Sequence, residues 1–281
     1  MIYPGVTIPF TTTTDRFHRI FVCPPVSVET FRLCRRLVVA DGTFLKARFI
    51  LTLLLAVGID PNGELILLAW AVVESENSDS WTWFLRNLRH ALPTLCSEES
   101  TFMSDRDKGL SSAEQVLGRK VVIAWCCHHL KTNFTDNFGR ALGEVFWKIA
   151  RAKTRATYDD ALRLLRERNE KAAAYLTAAE PERWAECLFP GRRYGQETSN
   201  LVESQNQVLR FDRQLPIVEL LDALWHRVME KRLLRLQAAT IAIQGGAVTT
   251  PWEALGGIKY RPSVLITART SSPAERLDLR R

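Results

Sequence analysis

The sequence of 281 residues is long enough for one large domain with a full core, or for one domain carrying an insertion. Its 46% hydrophobic and 25% charged content is ordinary for a soluble globular protein. Lys and Arg outnumber Asp and Glu by 38 to 31, and the net charge of +7 fits a nucleic-acid partner without requiring one. Six cysteines at 23, 34, 96, 126, 127 and 187 contain no CxxC, a spacing that suggests neither a disulfide scaffold nor a zinc ribbon and makes a reducing compartment the expectation. The first twenty residues lack a basic segment followed by an apolar one, so a secretory signal is not expected. The longest apolar run, "FILTLLLAVGI", is too short to span a bilayer.

The first half alternates strands and helices. "RLVVA" (36–40) is a short β-branched run that stops at Asp41. Two long apolar runs, 48–60 and 64–74, flank "DPNG" and read as a β-hairpin with both faces covered. "NSDS" caps a helix over 81–92, which Pro93 ends. "TFM" (101–103) is a brief strand that delivers Asp105, and "GLSSAEQVLG" (109–118) a short helix closed by glycine. "KVVIAW" (120–125) is another buried strand. The order describes a mixed α/β sheet with helices packed on it.

The second half is helical from Phe134 to about Leu188. Phe138, Leu142, Val145, Phe146 and Ile149 share one helical face. A glycine-containing loop follows, and "TSNLVESQNQVLR" starts another helix. A last helix spans 215–237, with Pro216 at its first position. The tryptophans at 81, 83, 147, 184 and 225 read as core, and the C-terminal segment as a poorly ordered tail.

Asp41 and Asp105 each end a strand. If those strands are parallel neighbours, both carboxylates emerge at one sheet edge, where open α/β sheets bind ligands. Two carboxylates there repel unless a cation lies between them, and Mg²⁺ suits an all-oxygen site. Each acid also has a plainer reading: "DGT" as a turn, Asp105 as a helix cap, Glu203 as a solvated helix residue. Asp60 belongs to the hairpin turn, Glu74 and Glu76 read as loop surface, and Asp107 as support for its own loop. In "CCHH" (126–129), Cys126 and His129 stand three apart. A structural zinc needs four ligands, and no second Cys/His pair has a matching spacing. Cys127 and His128 read as packing residues. Lys148, Arg151, Lys153 and Arg155 make a basic run with no acid inside it, either phosphate contacts or a solvated helix face. Arg106 and Lys108 beside Asp105 admit the same two readings.

"VVADGTFLKARF", the hairpin with its following helix, "FMSDRDKGL", "CCHHLKTNF", "FWKIARA" and "TSNLVESQN" occur in that order. Together they resemble the transposase domain of Mutator-like elements (MULE), over roughly Phe17 to Arg235. The resemblance implies a DDE transposase with an RNase H-like mixed sheet and an all-helical insertion, about 134–190, before the last catalytic helix. It divides the chain into an extension (1–16), the catalytic domain (17–240) and a tail (241–281). It implies Asp41, Asp105 and Glu203 as catalytic, metal-binding acids. Asp105 stands 64 residues after Asp41 and 98 before Glu203. It matches Cys126 and His129 to an accessory C-x-x-H motif near the active site.

The implied cofactors are two Mg²⁺ or Mn²⁺ ions, with no structural zinc. The implied partners are transposon terminal inverted repeats and target DNA, with a homodimer or higher multimer bridging the ends and no membrane. In a eukaryotic host the implied location is the nucleus. The resemblance also admits a domesticated or decayed descendant, a DNA-binding regulator without catalysis, because the Cys/His modules often found beside this domain do not occur in the sequence.

Overall fold

The computed structural model of the chain describes residues 10–13, 16–47, 50–97, 99–106 and 113–244. It begins with two strands the sequence patterns did not reveal, β1 (Phe10–Thr13) and β2 (Arg16–Val22), and a short helix, α1 (Pro25–Phe31). The strand expected to stop at Asp41 runs on: β3 spans Leu37–Phe44. The hairpin follows as β4 (Thr52–Ile59) and β5 (Leu65–Val73). Its turn is held by Asp60, whose Oδ1 accepts the Glu64 N–H at 2.8 Å. Helix α2 (Ser78–Ala91) starts where "NSDS" implied, with Asn77 Oδ1 accepting the Ser80 N–H at 2.9 Å.

A short α3 (Pro93–Ser97), β6 (Ser100–Ser104), a described α4 (Ala113–Leu117) and β7 (Val121–Trp125) complete the α/β part. Four helices follow: α5 (Cys127–Phe138), α6 (Gly143–Ala150), α7 (Arg155–Arg168) and α8 (Glu170–Ala178). The expected continuous face from Phe138 to Ile149 is broken at Gly139, whose φ of 101° no helix can continue. Last come α9 (Asn200–Val208) and α10 (Ile217–Gln244), the latter starting one residue after Pro216. Residues 1–235 form one compact unit; of the second, beginning at Leu236, the described part is the end of α10. The tail from residue 245 onward, Lys108 and Asp107 lie outside the described residues. Among the described residues, no helix is long and apolar enough to cross a membrane.

The seven strands form one mixed sheet in the order β1-β2-β5-β4-β3-β6-β7. Pairing is antiparallel from β1 through β3 and parallel from β3 to β6 and from β6 to β7. The central strands are apolar at nearly every position because both faces are covered. One face packs Val38, Ala40, Leu54 and Ala71 against α2, α5, α6 and the helices beyond. The other packs Leu37, Val39, Leu53 and Leu55 against Val202 and Leu209, from α9 and its end, and Leu220, Leu224 and Val228 of α10.

The helical layer is pinned by Trp184. Its ring is fully buried, stacks on Phe146 at 5.5 Å and 14°, and donates through Nε1 to Ala179 O at 2.9 Å. Trp81 is also buried, whereas Trp83, Trp147 and Trp225 are half-buried against the cores, so the core reading of the tryptophans holds in graded form. Trp184→Ala leaves a large cavity and an unpaired carbonyl. It is expected to cost about 3–5 kcal/mol, read as a fall in the urea midpoint.

Candidate active site

The parallel register of β3 and β6 sets the site. Val38 lies beside Phe102 and Val39 beside Met103. Asp41, within β3, and Asp105, the residue after β6, each stand two residues beyond that last pair. The parallel pairing stops at Val39, while β3 stays paired to β4 as far as Phe44 opposite Thr52. Asp41 is therefore a strand residue at an edge its parallel neighbour has left, and not a turn residue. Both carboxylates are sunk, each residue 9% exposed.

Side chains alternate along β3. Asp41 shares the face of Leu37 and Val39, which α9 covers. Gly42 turns to the other face, where a Cβ would stand 2.5 Å from Glu76 Oε1. Glu76 is thus half-buried over β3, not loop surface as its sequence context suggested. Glu74 is exposed, with His18 Nε2 3.4 Å away.

Helix α9 brings Glu203 and, one turn later, Asn206 to the same side. Asn206 Nδ2 donates to Asp41 Oδ2 at 3.4 Å. Ser199 is the N-cap residue, but its hydroxyl does not cap the helix. It donates to Glu203 Oε1 at 2.8 Å and lies 3.2 Å from Cys126 Sγ. The Ser199 N–H also donates to that sulfur, at 3.1 Å. Ser199 and Asn206 both lie in the "TSNLVESQN" stretch, but their contacts are with distant residues, and spacing does not carry that information.

Cys126 is the N-cap of α5, immediately after β7. His129 lies in the first turn, with Nδ1 3.8 Å from Asp105 Oδ2. Burial alone pushes the Cys126 thiol up, but hydrogen bonds with His129 and Ser199 outweigh it and leave the pKa below its ordinary value. The hydrogen bond with Cys126 raises His129 to about 9, against the effect of burial; the charges of Cys126, Asp105 and Asp41 add to the rise. The C-x-x-H pair therefore stands beside the acids. Cys127 is buried, with its thiol toward Trp184 O at 3.5 Å, but His128 is exposed and packs no core.

The basic run lacks acids only in sequence. Arg151 pairs with Glu197 at 2.7 Å, Lys153 with Glu186 at 3.4 Å and Arg155 with Asp159 at 3.0 Å, while Lys148 is exposed. Arg106 lies over the rings of Trp125 and Tyr175 at 5.6 and 5.7 Å.

Two donor sets emerge. Cys126, His129 and Glu203 have ligand atoms all within 4.8 Å of one another. Asp41, Asp105 and Glu203 do not close to that range. The oxygen set is nonetheless fit for a hard cation. Asn206 Oδ1 is buried beside Asp41 with no hydrogen-bond partner, so an orphaned acceptor adjoins two sunken carboxylates.

A mixed sheet that gathers carboxylates at the ends of parallel strands, with a third acid laid over them by a helix, defines an α/β domain with an acidic strand-end site. Residues 37–133 match the family model of the MULE transposase domain, as the sequence resemblance implied. The matched segment starts with the first residue of β3 and ends inside α5, so it holds Asp41, Asp105, Cys126 and His129 and stops short of Glu203. The match covers residues 37–133 and suggests a transposase-related function. No curated protein matches the chain.

Ser199→Ala removes the hydroxyl that joins Cys126 to Glu203. It is expected to cost about 1–2 kcal/mol in urea unfolding, whereas Ser204→Ala, at an exposed position on the same helix, should leave the midpoint within error.

Proposed function

We propose that this chain is the catalytic core of a DDE transposase with an RNase H-like fold, cutting and joining DNA at transposon ends. Asp41, Asp105 and Glu203 hold two divalent cations, Mg²⁺ or Mn²⁺. The observation that carries the reading is that Asp41 and Asp105 each lie two residues beyond the last pair of parallel β3 and β6, with Glu203 and Asn206 on the helix that covers that face. The central strand order β5-β4-β3-β6-β7, three antiparallel strands continued by two parallel ones, supports the RNase H-like part. The four helices between β7 and α9 support an insertion before the last acid.

When bound, the cations lower the pKa of the attacking water or hydroxyl and neutralise charge on the scissile phosphate. The protein's own groups prepare that site. Asn206 holds the Asp41 carboxylate through Oδ2. Ser199 holds one oxygen of Glu203 and leaves the other available. Burial of both aspartates keeps bulk water from screening them. In the first step water attacks phosphorus in line and the 3′-oxygen leaves. In the second that 3′-hydroxyl attacks a target phosphodiester, so one P–O bond forms as another breaks and no protein–DNA bond is needed.

Asp41→Asn, Asp105→Asn and Glu203→Gln are each expected to lower Mg²⁺-dependent cleavage of a terminal inverted-repeat duplex by about 10³-fold. Helical circular dichroism should be unchanged. Undiminished cleavage by Asp41→Asn would overturn the assignment.

A further inference from the structure

The side chains that actually converge in this fold are not the three acids. They are a thiol, an imidazole and one carboxylate. We propose that Cys126, His129 and Glu203 form a site for a borderline divalent metal of the Zn²⁺ class, and that this site shares Glu203 with the oxygen site of Asp41 and Asp105.

Donor chemistry separates the two sites. Mg²⁺ takes oxygen ligands in octahedral geometry and has no use for sulfur. Zn²⁺ and Co²⁺ take thiolate, imidazole and carboxylate in tetrahedral geometry, and three protein ligands leave a fourth position open. The three donors here come from separate parts of the fold: Cys126 from the end of β7, His129 from the first turn of α5, and Glu203 from α9. Their ligand atoms already lie within 4.8 Å of one another, and a small closure brings them onto one ion.

The surroundings are those of ligands held in place. Cys126 Sγ accepts the Ser199 N–H, the kind of outer contact that orients a metal-bound thiolate. The Ser199 hydroxyl holds Glu203 by Oε1. His129 Nδ1 is buried without a hydrogen-bond partner, since Asp105 Oδ2 at 3.8 Å is beyond hydrogen-bond reach. A carboxylate behind a ligating histidine is the usual means of fixing its ring, and Asp105 stands where it can close to that role. This is not a four-ligand structural zinc, and it needs no second Cys/His pair.

Sharing Glu203 has a consequence that rests on the proposed catalytic reading. Glu203 engaged by Zn²⁺ on the Cys126 side is withdrawn from the Asp41–Asp105 side. Zn²⁺ then inhibits Mg²⁺-driven DNA cleavage through this site.

The test is titration of the chelator-treated full chain with Co²⁺, read in the thiolate-to-cobalt charge-transfer and d–d absorption bands. One Co²⁺ per chain is expected, with tetrahedral band intensity, displaced by one equivalent of Zn²⁺ and unmoved by excess Mg²⁺. Cys126→Ser should abolish the charge-transfer band and Glu203→Gln should weaken binding at least tenfold. Asp41→Asn and Cys96→Ser should leave the spectrum intact. His129→Gln serves as the second ligand variant should Cys126→Ser not fold. No band in the parent chain, or a band that survives both Cys126→Ser and His129→Gln, overturns the site. Loss of the band in Asp41→Asn does so as well. The spectra do not depend on DNA cleavage, so a failed transposase reading and a failed metal site give different results.

Discussion

Everything at the candidate site depends on where two pairings of β3 part company. On one side β3 is bonded to β4 along its whole length. On the other, the parallel ladder with β6 ends at Val39. Past that point β6 ends at Ser104 and Asp105 follows, while β3 continues as a strand holding Asp41. A buried sheet cannot tolerate an open edge unless side chains or ligands satisfy it. The carboxylates of Asp41 and Asp105, the Asn206 amide and the His129 imidazole gather at this opening. The same opening faces α9.

Helix α9 is held over that opening by contacts made before it begins. The Cys127 N–H donates to Glu197 O at 2.8 Å, and the Ser199 N–H to Cys126 Sγ. Both tie the start of α9 to the junction of β7 and α5, across about seventy residues of mostly helical chain. After α9, Lys46 N–H donates to Arg213 O at 2.8 Å and Arg213 reaches the Thr43 hydroxyl, so the far end of β3 is clamped as well. Asp212 accepts from Arg227 at 2.6 Å, which fixes α10 behind it. Glu203 thus sits between two anchored ends. Its helix position comes from the register of α9, but its distance from Asp41 comes from these clamps.

The sequence made the central strands legible because burial on both faces forces apolar residues at nearly every position. It hid β1 and β2 because "FTTT" and "RFHRIFV" are an edge strand and its neighbour, carrying polar residues that an extended surface segment would share. In the sequence, "DGT" is good turn chemistry and marks Asp41 as a strand end. The glycine is there for another reason, the approach of Glu76 to the opposite face. The basic run at 148–155 looked unopposed because its acids, Glu186 and Glu197, arrive from the loop before α9. Asp41, Asp105 and Glu203 were nominated by motif order and resemblance, not by local pattern. Ser199 and Asn206 were missed because their roles exist only between segments far apart in sequence.

Glu203 is the residue on which two chemistries meet. It lies one helical turn from Asn206, which binds Asp41, and one hydrogen bond from Ser199, which binds Cys126. A carboxylate has two oxygens, and Ser199 occupies Oε1 on the thiol side. The remaining oxygen decides which site is complete. In the proposed reading, a hard cation between the aspartates draws it one way, and a thiol-seeking cation draws it the other. The Cys126–His129 pair is then more than support for the acids. Its sulfur gives the proposed site an affinity for thiol-seeking cations that three carboxylates alone would not have.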